Sequence, residues 1–205
     1  MIKEIIATCV IGIASMPIYA STLIYAFNEP VNTGEWTSYN VSLIESSGWI
    51  IQESNLAPTS QQMEQMLSNV YSFEVSMDRE AQFFLDNVNF AGLAQSTFEG
   101  CTTDSWSITG TNNIGCNSII GNSPGSVHNG GLPADFFAPE KYLGDMSTAY
   151  GGNLSFDLWR NQFSSNELST ASINISTVPV PGAIWLFGSA LISLFGFKFR
   201  SMLTR

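Results

Sequence analysis

Hydrophobic and polar residues alternate along several short stretches of this 205-residue chain. Alternation with a period of two predicts strands that bury one face and expose the other. Clusters of Gly, Asn, Ser and Pro separate these stretches, most densely at 110–133. The pattern therefore predicts strands at 36–44, 49–51, 71–77, 154–158 and 173–175.

One stretch has helical spacing instead. Thr59 and Gln62 form a capping-box sequence after Pro58, and apolar residues follow at intervals of three or four up to Val70. This predicts one short helix at 59–70. Many short strands with one small helix predict an all-β fold, a jelly-roll-like antiparallel β-sandwich.

The N-terminal end has the pattern of an export signal. Lys3 precedes an apolar core at 5–13, and Pro17 breaks that core before Ala20. This predicts a secretory signal peptide at 1–20, cleaved after Ala20.

The C-terminal end, 178–205, combines a Pro pair, an apolar run and a basic end. Pro179 and Pro181 hold the chain extended, and Lys198, Arg200 and Arg205 follow the run. Basic residues beside a membrane span stay on the cytoplasmic side. We expect a transmembrane segment at 183–199, slightly shorter than the roughly 20 residues of an ordinary span.

The sorting motif in this tail is Val178, Pro179, Val180 and Pro181, followed by Gly-Ala-Ile-Trp-Leu-Phe-Gly-Ser at 182–189. The tail resembles the PEP-CTERM sorting signal of biofilm-forming Gram-negative bacteria, with Val180 in the place of the usual Glu. The resemblance implies export across the inner membrane, transient or permanent membrane insertion, and cleavage by exosortase, a membrane protease. It also implies a location at the cell surface, outer membrane or extracellular matrix. The alternative is an ordinary C-terminal anchor.

Between these ends lies one predicted domain, 21–177, which is strongly acidic. It contains 16 of the 17 acidic residues but only three of the seven basic ones, Arg79, Lys141 and Arg160, giving a formal charge of −13. This charge argues against nucleic acid as a partner, because binding to phosphates requires basic side chains.

Cys101 and Cys116 are the cysteines of this predicted domain. An even pair in an exported chain predicts a disulfide, which closes a loop of about 15 residues and stabilises the fold by roughly 3 kcal/mol. The alternative, a metal site, lacks further His or Cys nearby in the sequence.

Residues 136–158 read Phe-Phe-Ala-Pro-Glu-Lys-Tyr-Leu-Gly-Asp-Met-Ser-Thr-Ala-Tyr-Gly-Gly-Asn-Leu-Ser-Phe-Asp-Leu. This stretch resembles the central motif of the laminin B domain, also called laminin IV type A, and Phe98 and Trp106 fit the family's opening strand. The resemblance implies a domain of extracellular matrix or receptor proteins without a general catalytic activity. Within the motif, we expect Lys141 and Asp145 to form a structural ion pair.

An earlier segment resembles the last half of the same domain. It carries Trp36-x-x-Tyr39-x-Val41-x-Leu43, then Leu-Ser-Asn-Val at 67–70 and Leu-Asp-Asn-Val at 85–88. The second half of the family pattern thus lies at 33–90 and the first half at 97–165. The reversed order predicts a circular permutant, since sandwich termini are often close enough to be joined. The alternative is two truncated domains, which would expose apolar faces and strand edges unless halves pair between chains.

Candidate chemistry is sparse, and we expect no catalytic site. His128 is the only histidine and lies in a Gly-rich loop, where we expect it to be solvated. No two acidic residues stand out as a glycosidase pair. Asp78, Glu80 and Asp86 form a hypothetical Ca²⁺ ligand set, and no other cofactor is expected.

Four tryptophans lie in the predicted domain, and we expect at least three of them to pack in the core. They are Trp36, Trp49, Trp106 and Trp159. Trp159 falls on the polar side of its strand, next to Leu158, and is the candidate exposed ring. Flat aromatic rings suit the faces of sugars, so Trp159 is the candidate ligand-binding residue.

Together these patterns predict a non-enzymatic, surface-sorted matrix or adhesion protein that binds exopolysaccharide or another surface glycan. One alternative is a purely structural matrix or coat component without a ligand site. Another is an exopolysaccharide hydrolase. An exposed aromatic stripe would favour binding, and two facing acids in a cleft would favour hydrolysis.

Overall fold

The structure of the protein is a computed structural model that describes residues 20–30, 34–77, 81–109, 114–118, 125–129, 134–161 and 170–178. These residues lie within one compact unit, Ala20–Val178. The predicted signal peptide up to residue 19, the sorting motif after Val178 and the predicted transmembrane segment 183–199 lie outside the described residues. Within the described part of the chain, no helix is long and apolar enough to cross a membrane.

Strands make up most of the regular structure, as the alternating pattern predicts. In chain order they are β1 (Thr22–Asn28), β2 (Trp36–Ser42), β3 (Ile50–Ile51), β4 (Val70–Met77), β5 (Phe83–Phe90), β6 (Ala94–Ser96), β7 (Ser107–Ile108), β8 (Gly115–Asn117), β9 (Ser126–His128), β10 (Ala134–Phe137), β11 (Asn153–Arg160) and β12 (Thr170–Thr177). A helix, α1 (Ser60–Leu67), lies between β3 and β4, and short 3-10 turns occur at Glu45–Ser47, Glu140–Tyr142 and Ser147–Ala149.

These strands form two antiparallel sheets. The first sheet has the order β3-β1-β12-β4-β10-β7. The second has the order β2-β11-β5-β9-β8, and β6 also pairs with β5. Apolar side chains of both sheets form one buried cluster. The prediction of a mostly β, antiparallel sandwich with one short helix is therefore confirmed.

Each sheet contains strands from both halves of the predicted permutant. In the first sheet, β4 from segment 33–90 pairs with β10 from segment 97–165. In the second, β11 lies between β2 and β5, so a strand of the later segment separates two strands of the earlier one. The two segments thus share both sheets, and β1 and β12, which lie outside both segments, complete the first sheet.

Alternation predicted four of the six long strands, β2, β4, β11 and β12, and it missed β1 and β5. One residue of β4 departs from the prediction. Tyr71 is 68% exposed, although the alternation places it on the apolar side of the strand. The pairing with β12 skips Tyr71: Ser72 lies opposite Ser176, and Val70 lies opposite Thr177. The resulting bulge directs Tyr71 to the solvent side of the first sheet.

The helix begins where the capping box predicts. The Thr59 side chain accepts a hydrogen bond from the Gln62 backbone N–H, and the Gln62 side chain accepts one from the Thr59 N–H. Met63, Met66 and Leu67 are buried, so the apolar face of α1 covers the core. The helix ends at Leu67 rather than at residue 70, because Val70 already belongs to β4.

A polar cluster that extends from the core to the surface joins distant parts of the chain. The Ser96 hydroxyl accepts hydrogen bonds from the Trp106 indole N–H and the Tyr142 hydroxyl, each at 2.9 Å. The same hydroxyl donates to the carboxylate of Asp104, which also binds the Lys141 ammonium. Ser96 thus uses its donor and both acceptor sites. We call these five residues the Ser96 cluster.

The Ser96 cluster corrects one expectation. Lys141 pairs with Asp104 and donates to the carbonyl of Gln95, so the predicted pair of Lys141 with Asp145 is wrong. Asp145 instead accepts hydrogen bonds from the side chain and the backbone N–H of Ser147, and these bonds lower the pKa of its carboxyl group. The partner of Lys141 is 37 residues away in sequence and could not be read from local spacing.

The predicted disulfide between Cys101 and Cys116 is confirmed, with 5.4 Å between the Cα atoms. It links the turn after β6 to β8, the last strand of the second sheet. The disulfide therefore fixes an edge of that sheet to the segment that carries the Ser96 cluster.

We predict that Ser96→Ala lowers the free energy of unfolding by about 2–3 kcal/mol, because the Trp106 N–H would lose its partner in the core. Urea unfolding with the disulfide intact measures this change. The matched control is Ser107→Ala in β7, an exposed serine, which should change stability by less than about 0.5 kcal/mol. Equal effects of the two substitutions would contradict the proposed role of the Ser96 cluster.

We also predict that Gly125→Ala destabilises the protein far more than Gly92→Ala. Both glycines have positive φ, 142° and 75°, so both substitutions introduce backbone strain of about 1 kcal/mol. A Cβ at Gly125 would also lie 2.0 Å from the carbonyl oxygen of Phe98, whereas one at Gly92 would have nothing within 4 Å. The difference, measured by thermal unfolding, should reach about 1–3 kcal/mol. Similar melting temperatures of the two variants would show that Phe98 does not restrict this position.

Candidate functional site

Aromatic side chains form a continuous row across the outer face of the second sheet. Trp36 of β2 lies opposite Trp159 of β11, and Trp159 lies opposite Phe84 of β5. Phe84 in turn lies opposite His128 of β9. Four strands that are distant in sequence thus place four rings side by side, and we call this set the aromatic row.

Three rings of the aromatic row are in contact, and Trp36 adjoins them through its register with Trp159. The Phe84 and Trp159 centroids are 4.9 Å apart in an edge-to-face arrangement, and those of Phe84 and His128 are 5.0 Å apart. Phe84 is only 2% exposed, whereas Trp36, Trp159 and His128 are half-buried. Phe84 therefore supports its neighbours from within, and the other three rings present the accessible surface.

His128 belongs to this packed row and not to a solvated loop, so the expectation for it is wrong. A Cβ at Gly115 of the neighbouring β8 would lie 2.2 Å from His128 Nε2, which means that the imidazole occupies the space above that glycine. Its Nδ1 is 3.3 Å from the side-chain nitrogen of Gln82. Burial lowers the pKa of His128 below its ordinary value, so the ring is neutral at pH 7.

A polar row lies beside the aromatic row, one pleat further along the same face. It includes Ser38, Asp157 and Asp86, which occupy adjacent strands in register. Asp86 is fully buried and Asp157 is 7% exposed. Two carboxylate side chains therefore face each other across β5 and β11, directly beside Phe84 and Trp159.

Asn87 fixes both carboxylates. Its backbone N–H donates to Asp86 Oδ1 at 2.7 Å, and its side-chain amide donates to Asp157 Oδ2 at 2.8 Å. Asn87 has a φ of 50° and is the extra residue of a β-bulge, since the register between β5 and β11 shifts at this point. The acids are thus held by structural hydrogen bonds.

The hypothetical Ca²⁺ ligands are only partly described. Asp78 and Glu80 lie outside the described residues, and Asp86 is the buried carboxylate bonded to Asn87. In the described part of the chain, no three His, Cys, Asp or Glu side chains lie together as a metal-binding group. Calcium binding stays a prediction.

A concave region of about 330 Å³ lies at a different place, beside the Ser96 cluster. Gln95, Thr97, Glu99 and Lys141 contribute to its wall. The Lys141 ammonium is already bound by Asp104 and by the Gln95 carbonyl. This cleft therefore offers mainly hydroxyl and carboxylate groups.

The expectation that at least three tryptophans pack in the core is wrong, because only two do so. Trp49 and Trp106 are buried, and the Trp49 indole donates to the carbonyl of Ser42. Trp36 and Trp159 lie on the outer face of the second sheet. The sequence placed Trp159 on the outer side of its strand, where the ring is half-buried rather than exposed, but it did not indicate that Phe84 and His128 join it. Phe84 stands between two buried core residues, which hid its outward direction.

Comparison with known proteins supports part of the sequence interpretation. Residues 135–179 match the family described as Laminin B (Domain IV), which confirms the laminin B-like part of the resemblance. The matched stretch is about a fifth of the chain and includes Asp157 and Trp159. No curated protein and no solved structure matches the chain. A laminin B-like domain fits an extracellular matrix or adhesion-type protein.

Proposed function

We propose that this protein is an exported, surface-sorted matrix or adhesion protein whose aromatic row binds a glycan, with exopolysaccharide as the leading partner. The observation that carries the proposal is the in-register row of Trp36, Trp159, Phe84 and His128 on an outer sheet face. Tryptophan and tyrosine are the usual anchors of binding surfaces, because they combine a large apolar face with a polar edge. The apolar faces of sugar rings are complementary to such side chains.

The row suits an extended ligand that runs across the strands. It crosses three gaps between neighbouring strands, each about 4.8 Å wide, so it spans roughly 14 Å. Phe84 contacts both Trp159 and His128 and holds these rings in place. A surface of this length would contact several consecutive sugar units rather than one.

Polar groups beside the row could accept and donate hydrogen bonds to sugar hydroxyls. Ser38 and Asn40 are exposed on β2, on the same face as Trp36. Ligand sites commonly combine apolar contact with a few such polar groups, which fix the orientation of the ligand. Trp36 and its neighbours on β2 would thus form one end of the binding face.

The domain organisation proposed with this function is a circularly permuted laminin B-like sandwich of jelly-roll type. The pairing of strands from 33–90 with strands from 97–165 in both sheets supports it, since each segment supplies partners for the other. The reversed order of the family motifs supports it as well. The two segments could form the same sandwich whichever of them comes first in the sequence.

Surface sorting rests on the two ends of the sequence. We propose that the signal peptide directs export and that an exosortase-type protease acts on the tail at 178–205. The Pro pair, the apolar run and the basic end support this part of the proposal. The product would reach the surface or matrix of a Gram-negative bacterium.

Hydrolysis is the second candidate function, because Asp86 and Asp157 face each other on adjacent strands. Glycosidases need two carboxyl groups that both reach the scissile bond. Burial and the hydrogen bonds from Asn87 argue for a structural role of this pair. We therefore prefer binding to hydrolysis.

The binding face is tested with the Trp159→Ala variant of the full chain. Both proteins are held in a detergent that contains no sugar. Affinity for the glycan that the unmodified protein binds best should fall at least about tenfold, equivalent to roughly 1.4 kcal/mol. A panel of polysaccharides measured by calorimetry or affinity electrophoresis identifies that glycan. Removal of the Trp159 ring also exposes Phe84, so unfolding is measured in parallel.

The matched control for Trp159→Ala is Tyr71→Ala. Tyr71 is an exposed aromatic residue on the other sheet, so its loss should leave affinity unchanged. Equal losses in the two variants would move the ligand away from the aromatic row. If a cooperatively folded sample binds no glycan, the binding proposal fails and the structural alternative remains. Release of new reducing ends from a polysaccharide would instead show that the protein is a hydrolase.

A further prediction concerns calcium. Because the aromatic row needs no metal, binding should be the same with Ca²⁺ and with a chelator. The same panel, repeated under both conditions, measures this. Loss of binding in chelator alone would instead place a metal site among the acidic residues.

A further inference from the structure

The second sheet ends in an exposed edge strand, β2. All residues of this strand, Trp36–Ser42, pair with β11 without a shift of register. On the other side of β2, no strand of the described residues pairs with it. A sheet edge of this kind presents a row of backbone N–H and C=O groups to which another strand can add.

Two hydrogen bonds at the end of β2 show which of its backbone groups face outward. The Leu43 N–H donates to the carbonyl of Gly152, which directly precedes β11, so Leu43 faces β11. The carbonyl of Ser42, one residue earlier, accepts instead from the Trp49 indole N–H. In an antiparallel pair, successive residues direct their N–H and C=O groups to opposite sides. The residues of β2 that face away from β11 are therefore Ser42 and, at steps of two, Asn40, Ser38 and Trp36.

These outward groups are free along the middle of the strand. Among the described contacts, no hydrogen bond is formed by the outward N–H and C=O groups of Trp36, Ser38 and Asn40. The side chains of the last two are exposed. The outward carbonyl of Ser42 is already bound, and at the other end the Gly34 N–H turns back to the carbonyl of Arg160 in β11. The free part of the edge is therefore centred on Ser38.

The remaining sheet edges in the described part of the chain are short or covered. β3 and β7 have two residues each, and β8 has three and carries the disulfide. β3 covers part of β1, and the carbonyl of Asn28 at the end of β1 accepts from the Tyr39 hydroxyl. Proline and charged side chains are further means of protecting an edge from other chains. β2 contains neither, so its edge is open to pairing.

We propose that β2 pairs antiparallel with β2 of a second copy of this chain, with Ser38 of one copy opposite Ser38 of the other. In this register Trp36 lies opposite Asn40 of the second copy, and every free donor of one strand meets a free acceptor of the other. A second copy fits this edge because its own free groups have the same centre and the same spacing. No like charges face each other across the contact, since β2 has no charged residue. Such a contact closes as a two-fold symmetric dimer.

The pairing also continues the second sheet from one copy into the other. Trp36, Ser38 and Asn40 lie on the outer face in both copies, so the two aromatic rows share one face. The dimer requires no glycan, and the inference therefore does not depend on the proposed function.

The size and charge of the contact determine its strength. A contact along one short strand buries less than the roughly 1,000 Å² of a stable interface, so the dimer should be weak and concentration-dependent. The chain carries a formal charge of −10, and repulsion between two copies opposes their association. Salt screens this repulsion, and we expect tighter association at about 0.15 M salt than at low ionic strength.

The first test is analytical ultracentrifugation of the full chain in detergent, from micromolar to near-millimolar protein. Ser38→Pro removes the central outward N–H but no hydrogen bond to β11, a position where an edge strand tolerates proline. This variant should raise the dissociation constant of the dimer at least about tenfold. The matched control, Ser38→Ala, keeps the backbone N–H and should change the constant by less than about twofold. Thermal unfolding of both variants is measured in parallel.

A second test does not depend on the proline variant. Directly opposed residues of a hydrogen-bonded antiparallel pair have Cα atoms about 5.5 Å apart, within reach of a disulfide. Ser38→Cys should therefore form a cross-linked dimer under oxidising conditions. Ser107→Cys is the matched control, because Ser107 is an exposed strand residue at the far edge of the other sheet. It should give at least about tenfold less dimer. The unmodified chain, which contains Cys9, gives the baseline.

Three results would overturn the proposal. The first is a chain that stays monomeric at every concentration and salt condition. The second is a dimer that persists unchanged in folded Ser38→Pro, which would place the contact on another surface. The third is equal cross-linking of Ser38→Cys and Ser107→Cys, which would show that Ser38 does not face its counterpart. Dimerisation that is weakened by Ser38→Pro alone, together with selective cross-linking at residue 38, would establish the pairing.

Discussion

The second sheet depends on one extra residue in its central strand. Asn87 occupies a left-handed backbone conformation and forms a bulge opposite β11. Because of this bulge, Leu85 and Val88 both point into the core although they are three residues apart. In a regular strand, a shift by one residue would turn every following side chain to the opposite face. The bulge therefore keeps the apolar residues on both sides of Asn87 inside.

The same residue determines the outer face. Phe84 and Asp86 point outward before the bulge, and the two hydrogen-bonding groups of Asn87 hold Asp86 and Asp157 in place. The bulge residue of β5 thus holds the acidic pair in place beside the aromatic row. The aromatic surface of this outer face is the basis of the binding proposal.

The Ser96 cluster and the disulfide stabilise the opposite part of the fold. They connect the turn after β6 with the laminin B-like stretch and with β8, which are far apart in sequence. Trp106 and Tyr142 also pack their rings against Phe73 of the first sheet. The polar cluster lies within an aromatic core, where unsatisfied donors would be costly, and this explains why Ser96 uses all its hydrogen-bonding sites.

The sequence by itself determined those features that depend on neighbouring residues or on residue type. Alternation predicted β4, β11 and β12, the capping box predicted the start of α1, and an even pair of cysteines predicted the disulfide. The laminin B-like stretch was also evident from its residues alone. Each of these signals lies in a short segment or in the number of cysteines. It can therefore be recognised without knowledge of distant contacts.

Only the tertiary structure decided which distant residues meet. The pairing of Lys141 with Asp104, the position of His128 above Gly115 and the assembly of the aromatic row all depend on the register between strands. Register is set by the whole core and by bulges such as that at Asn87, and neither has a signature within one strand. For this reason the sequence could place Trp159 on the outer side of its strand, but only the folded sheet could show the three other rings of the row.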